Sequence, residues 1–184
     1  MSNRKFTGEL GRVEASPSLE AEGPPVLAVF RVAVGMRVVD YLAGVRAVLS
    51  AAIRTMGEID AGTDDLPEDL IPDWFAEVTR GSVVASRGGP SSLGVQQYVA
   101  RRGEEPWELQ DWLFCFDPKL RGWAWWDATE ISDESVALWV DSSGEPVFPC
   151  EELRWLAYAC GAQNVEGPSL ASISDWQELR QGLR

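Results

Sequence analysis

The sequence contains no histidine, only two lysines and only three cysteines. The absence of histidine excludes Ser-His-Asp and Cys-His catalysis, HExxH zinc sites and the most common metal ligand. The phosphate-binding patterns GxxxxGK[ST] and GxGxxG and the nucleophile pattern GxSxG are missing as well. The sequence therefore contains no familiar catalytic or nucleotide-binding motif that would predict an enzyme.

The cysteines, at positions 115, 150 and 160, are odd in number and form no CxxC pair. Cys150 and Cys160 would stand about 15 Å apart on one helix, too far for a disulfide. We therefore expect three free thiols in a reducing compartment. The longest apolar stretch, Val26 to Val34, is interrupted by Arg31 and is too short to span a membrane. With no signal peptide expected at the polar N-terminus, these features predict a cytoplasmic protein.

The formal net charge is −13, and the imbalance lies entirely after residue 60. Seven of the 29 acidic and seven of the 16 basic residues fall within the first 60 positions, which leaves 22 acidic and 9 basic residues for the rest. Such a surface repels nucleic acid and anionic lipid, and it attracts cationic partners. Fourteen arginines against two lysines suggest a GC-rich bacterial genome.

Six of the nine tryptophans lie between Trp112 and Gly161, the stretch around which we expect the fold to be organised. Aromatic and β-branched residues favour strands at 112–116, 123–129 and 136–140. The sequence thus predicts an antiparallel three-stranded β-meander over about 111–141. Both faces of that sheet would be apolar, so helices are expected to cover both sides, unless one side is a binding surface.

Helices are predicted at about 36–56, 72–79, 149–160 and 174–183. The first has apolar residues at three- and four-residue steps. The third begins after Pro149, ends before Gly161, and places Leu153 and Leu156 on one side. Ser174 and Gln177 form a capping-box pattern for the fourth.

The remaining segments complete one predicted α+β domain over residues 1–184. Strands are expected at Val26–Val34 and near Val165, and a short edge strand at Lys5–Val13. Residues 95–100 fit either a strand or a helix. We expect 1–25 to be partly loose and expect loops at 57–70 and 80–94.

An acidic, tryptophan-bearing surface on the meander and its following helix is the predicted binding site. Three tryptophans are expected to be partly exposed because they border polar residues, and nearby carboxylates would supply a complementary field. The candidate residues are Trp126, Trp139, Trp155, Asp127, Glu130, Asp133, Glu134, Asp141 and Glu151. The expected function is a non-enzymatic binding protein with a basic protein partner, specifically an immunity or inhibitor protein that neutralises a bacterial toxin.

Two alternative functions fit the same residues. Two carboxylates that converge in a cleft could act as general acid and base or bind a divalent cation, as in a hydrolase. Tryptophans beside carboxylates also suit a sugar or a small cationic ligand. No cofactor, metal, nucleic acid or membrane partner is expected, and the oligomeric state stays open.

Overall fold

A computed structural model describes residues 6–57, 65–79 and 89–182. These residues form helices around an antiparallel sheet, which confirms the predicted α+β class and the single domain. In chain order the elements are α1 Glu9–Glu14, β1 Val26–Val34, α2 Val38–Gly57, α3 Asp73–Thr79, α4 Pro90–Arg102, α5 Leu109–Phe114, β2 Ala124–Ser132, β3 Ser135–Asp141, α6 Glu151–Ala159, β4 Ala162–Ser172 and α7 Ile173–Gly182.

The sheet has four strands in the order β2-β3-β1-β4, and every neighbouring pair is antiparallel. The predicted strand Val26–Val34 is confirmed with those bounds and lies in the interior, paired to β3 on one side and β4 on the other. The strand predicted near Val165 is also confirmed and is 11 residues long. Only β2 and β3 form a hairpin from the predicted meander.

The predicted first strand of the meander, 112–116, is wrong, because this segment lies in and just after α5. Leu109, Trp112, Leu113 and Phe116 are all buried. Their spacing of three, four and seven residues from Leu109 is the helical period rather than the strand period. The aromatic content of 112–116 favours a strand, but a helix that begins at Leu109 buries all four of these apolar side chains together.

The N-terminal segment also differs from expectation. The predicted edge strand over Lys5–Val13 is wrong, because residues 9–14 form α1; residues 1–5 lie outside the described part of the chain. Two arginines from distant helices contact the segment that follows α1. Arg46 of α2 donates to the Ser16 hydroxyl at 2.8 Å, and Arg180 of α7 donates to the Pro17 carbonyl at 2.6 Å.

The four predicted helices are confirmed as α2, α3, α6 and α7. The cap of α7 lies two residues earlier than predicted, because Ser172 and Asp175 exchange hydrogen bonds at 2.7 and 3.1 Å. The ambiguous segment 95–100 is helical within α4, which begins at Pro90 inside the predicted loop. Most of that loop, 80–88, and residues 58–64 of the other loop are not among the described residues.

Helix α6 is buried on all sides, in contrast to the one-sided burial that the sequence predicts. Leu153, Trp155 and Leu156 have no exposed surface, and Arg154 is also buried. The helix contacts β4, α2, α3 and α4, and all its residues after Glu151 are buried, whereas Glu151 at its start is partly exposed. Its central position makes α6 the helix on which the main core is assembled.

The two faces of the sheet are covered unequally. The inner face joins the main core with α2 and α6, whereas α7 packs Trp176 against a smaller cluster on the outer face that includes Trp126 and Trp139. The expectation that helices cover both faces is therefore confirmed for the inner face and for the part of the outer face under α7. No helix in the described ranges is long and apolar enough to cross a membrane.

Both edge strands have side chains bonded to their outward backbone groups. At the β2 edge, Glu9 accepts from the Trp125 amide at 2.5 Å and Arg12 donates to the Trp125 carbonyl at 3.0 Å. At the β4 edge, the Tyr158 hydroxyl accepts from the Val165 amide, and Arg154 donates to the Val165 carbonyl. These contacts occupy groups that could otherwise pair with another strand.

Candidate functional site

The three tryptophans predicted to be exposed are core residues. Exposed fractions are 4% for Trp126, 3% for Trp139 and 0% for Trp155, so the prediction of exposure is wrong. Trp126 makes an edge contact with Trp176 of α7, and Trp155 makes one with Tyr98 of α4. Helices that come from distant parts of the chain therefore cover Trp126 and Trp155. Trp139 is almost fully buried and lines a groove beside α7.

Asp127 is also buried, with no exposed surface, and it connects three elements. One carboxylate oxygen of Asp127 lies 3.4 Å from the guanidinium of Arg46 on α2. The other accepts from the Trp176 indole at 3.0 Å and lies 3.3 Å from Arg180, both on α7. Its position on β2 therefore fixes α2 and α7 to the sheet, and Asp127 is not available to an external partner.

The other predicted carboxylates do not share one surface. Glu130, Asp133 and Glu134 are exposed near the turn between β2 and β3. Asp141 lies at the other end of β3, about 20 Å from that turn, since each residue of a strand adds about 3.3 Å. Glu151 is already engaged, because it lies 2.7 Å from Arg102 and 3.1 Å from Arg154. The exposed carboxylates that were predicted to form one binding surface thus lie at opposite ends of the β2–β3 hairpin.

A different surface concentrates the negative charge. Residues 65–79 and 103–118 contain ten acidic residues and no basic one, and we call these two segments together the acidic surface. Its acidic members are Asp65, Glu68, Asp69, Asp73, Glu77, Glu104, Glu105, Glu108, Asp111 and Asp117. Five carboxylates that form ion pairs with described arginines, Glu9, Glu14, Asp40, Asp127 and Glu151, lie outside the acidic surface.

The two segments are joined by specific contacts. The Gln110 side chain accepts from the Leu66 amide at 2.9 Å, and it donates to the Leu66 carbonyl at 3.1 Å and to the Glu68 carboxylate at 2.6 Å. The rings of Phe75 on α3 and Trp112 on α5 pack with centroids 4.6 Å apart. Negative charges from two separate parts of the sequence are thereby held side by side.

Large apolar side chains are exposed on the same segments. Leu70 is 50% exposed, and Trp74 and Phe114 are each 38% exposed. Trp74 makes an edge contact with Phe75 and lies beside Gly44 of α2, so its ring is supported while one side faces solvent. Exposed aromatic residues surrounded by charged groups are typical of protein interfaces.

Local helix physics explains part of the acidic surface. Asp73 and Asp111 lie in the first turns of α3 and α5, where the helix dipole stabilises a negative charge. Glu104 accepts from the Tyr98 hydroxyl at 2.9 Å, which links the second segment to α4. These roles do not account for the absence of lysine and arginine from the two segments or for the exposure of Leu70, Trp74 and Phe114.

Two grooves lie away from the acidic surface. One, of about 510 Å³, is lined by Arg37, Asp133, Glu134 and Gln163 at the end of the sheet. The other, of about 450 Å³, runs beside α7 on the outer face of the sheet and includes Arg31. Among the described residues no group of three or more histidine, cysteine, aspartate or glutamate side chains could hold a metal ion.

Sequence reasoning missed Leu70, Trp74 and Phe114 because it followed the density of tryptophan and averaged the charge over everything after residue 60. The available signal was local, since each of the two segments has acidic residues and no lysine or arginine.

No family model, curated protein or solved structure matches the chain. The functional interpretation therefore depends on the residues and contacts described above.

Proposed function

We propose that this protein binds a cationic protein through the acidic surface. The observation that carries the proposal is the presence of ten acidic residues and no basic one on two contacting segments that also expose Leu70, Trp74 and Phe114. Apolar anchors supply most of the binding energy at protein interfaces, and charges around them set the association rate and the choice of partner. A surface that has both kinds of group suits a partner with basic residues around an apolar contact.

The finer proposal is an inhibitor of the immunity type, which neutralises a basic toxin by covering its cationic surface. It is supported by the small size of the chain, by its net charge of −13 and by the lack of familiar catalytic motifs. In this proposal Trp74 replaces the buried tryptophans as the main anchor. Leu70 and Phe114 extend the apolar contact, and the carboxylates of the acidic surface attract the partner.

Binding to a partner isolated by affinity capture and identified by mass spectrometry is expected to depend strongly on salt. Raising the NaCl concentration from about 50 to about 500 mM should slow association markedly, because the Debye length falls well below ~10 Å. Surface plasmon resonance gives the two rate constants separately. An association rate that does not change with salt, or a captured partner that is not basic, would contradict the proposal.

Two sets of variants locate the interface. Trp74→Ala should speed dissociation more than about tenfold, a cost above ~1.4 kcal/mol, whereas Leu170→Ala, which truncates a 43% exposed leucine elsewhere, should not. The triple variant Asp69→Asn, Glu77→Gln, Asp111→Asn should slow association. Its matched control, Glu130→Gln, Asp133→Asn, Glu134→Gln, removes the same net charge from the β2–β3 turn. Equal slowing by both triple variants would mean that only net charge matters and that the acidic surface is not the site.

A further inference from the structure

Trp74 presents an aromatic surface that the protein holds in place. Gly44 of α2 lies so near the indole that a Cβ atom added there would stand 3.8 Å from the Cζ2 atom of the ring. The Phe75 ring makes a T-shaped contact with the indole, with centroids 5.8 Å apart, and Phe75 itself is fully buried against Trp112. Because Trp74 is nevertheless 38% exposed, a supported ring faces solvent.

Two exposed carboxylates stand beside that ring on α3. Glu77 follows Trp74 by three residues, which places their Cβ atoms about 5–6 Å apart, and helical side chains lean toward the N-terminus, so Glu77 leans toward the turn that carries Trp74. Asp73 comes four residues before Glu77, a spacing at which two like charges repel each other. Neither carboxylate forms an ion pair within the described ranges. A cation held against the Trp74 ring would be attracted by both carboxylates and would relieve their repulsion.

Arg180 shows how this protein combines a tryptophan, a carboxylate and a guanidinium. Its guanidinium carbon lies 5.6 Å from the centroid of the Trp176 ring, and one of its nitrogens lies 3.3 Å from the Asp127 carboxylate. The ring and the negative charge thus attract the same cation. At Trp74 the ring and the neighbouring carboxylate of Glu77 are both present, but none of the described arginines or lysines lies over the ring.

A second interior arginine has the same two kinds of partner. Arg121 lies 4.7 Å from the centroid of the Trp123 ring and forms an ion pair with Glu9 at 2.5 Å. Arginine suits such a site better than lysine, because its planar guanidinium stacks on a ring, is weakly hydrated and can donate two hydrogen bonds to one carboxylate. The ammonium group of lysine is a strongly hydrated point charge. The groups around Trp74 therefore favour a guanidinium over an ammonium ion.

We propose that Trp74, with Glu77 and Asp73, is a receptor for an arginine side chain of the partner, an inference that rests on the proposed function of the acidic surface. The guanidinium lies against the exposed part of the indole and donates to the carboxylates, in the arrangement that Arg180 has in the interior. The two other exposed apolar side chains of the acidic surface keep their apolar contacts. The partner is then selected by an arginine at one position as well as by its overall charge.

Three synthetic peptides test this arginine receptor. One has three arginines separated by Gly-Ser spacers, the second has lysine at those positions, and the third has citrulline, a neutral analogue of arginine. NMR titration of the isotopically labelled protein at low salt should show the arginine peptide binding about threefold or more tightly than the lysine peptide, because a cation–π contact at an exposed site contributes about two- to fivefold. The Trp74 indole N–H signal should shift with the arginine peptide and should not shift with the citrulline peptide.

Two pairs of variants locate the contact. Trp74→Leu should weaken binding of the arginine peptide to the level of the lysine peptide, whereas Phe114→Leu, which removes a ring of equal exposure from the same surface, should keep the preference for arginine. Glu77→Gln should reduce that preference, whereas Glu105→Gln, at another exposed position of the acidic surface, should weaken both peptides equally. The indole signal that is missing from the spectrum of Trp74→Leu identifies the Trp74 signal.

Equal binding of the arginine and lysine peptides to the wild-type protein would overturn the arginine receptor, and so would a preference for arginine that persists in Trp74→Leu. The first comparison needs no variant, so it decides the matter even if Trp74→Leu does not fold. If the two peptides bind equally and the triple variant Asp69→Asn, Glu77→Gln, Asp111→Asn weakens both, the acidic surface remains the binding site and only the arginine receptor fails. If the triple variant weakens neither peptide, the proposed function fails as well.

Discussion

Replacing Asp127 with alanine is expected to lower the free energy of unfolding by about 1–3 kcal/mol, because the change leaves the buried Trp176 indole without an acceptor and removes the counter-charge of two partly exposed arginines. Arg46 and Arg180 both lie within 3.4 Å of its carboxylate, and the Trp176 indole donates to it. The Trp176 indole would lose its acceptor, and α7 would lose its polar contact with β2. Arg46 and Arg180 would keep their backbone carbonyl acceptors at Val13 and Pro17. Urea denaturation followed by tryptophan fluorescence measures the effect.

Two related variants define the origin of that loss. Asp127→Asn keeps an acceptor for the Trp176 indole and removes the charge, so its cost should lie between those of the wild type and Asp127→Ala. Glu130→Ala, on the same strand but exposed, should change the free energy of unfolding by less than about 0.5 kcal/mol. A loss below about 1 kcal/mol for Asp127→Ala would show that water replaces the carboxylate without penalty and that the polar contact between α7 and β2 contributes little to stability.

Leu153→Ala and Leu156→Ala should each lower the free energy of unfolding by about 2–5 kcal/mol, through lost burial and the cavity left behind. Both side chains have no exposed surface, and α6 is enclosed by β4, α2, α3 and α4. Neighbours on every side limit how far the core can collapse into the cavity, which favours the upper part of the range. Thermal and urea denaturation of each variant measure the loss.

A leucine in a different environment provides the control for the α6 variants. Leu120 is 72% exposed in the turn before β2, so Leu120→Ala should change stability by less than about 0.5 kcal/mol. If both α6 variants also cost less than about 0.5 kcal/mol, the packing of α6 described here would be incorrect. Because the two leucines are neighbours on one helix, the double variant is not expected to be additive.

The sequence predicted correctly those elements whose pattern of apolar residues fits only one period, either that of a strand or that of a helix. The alternation in Val26–Val34 and the three- and four-residue spacing from Val38 to Met56 identify β1 and α2 with nearly correct bounds. Segment 112–116 was predicted incorrectly because aromatic content and periodicity disagree there. Since a five-residue window is too short to separate the two periods, the inclusion of Leu109 was needed to identify the helix.

The candidate site was less predictable than the elements. The sequence identified an excess of carboxylates after residue 60, and this excess contains the acidic surface. It could not show that Gln110 joins residues 103–118 to residues 65–79, because that contact spans 44 positions. It also could not show which tryptophans reach solvent, since the residues beside an indole in the chain are not those that cover it.

The sequence by itself determined the composition-dependent properties: the net charge of −13, the lack of histidine chemistry, the α+β class and most of the helices and strands. These properties depend on residue type and on spacing over a few residues. Only the tertiary structure decided which side chains are accessible. Trp126 is covered by Trp176, Trp155 by Tyr98 and Asp127 by Arg46 and Arg180, whereas Trp74 remains partly exposed. Burial depends on what packs over a residue from distant parts of the chain, and no local pattern contains that information.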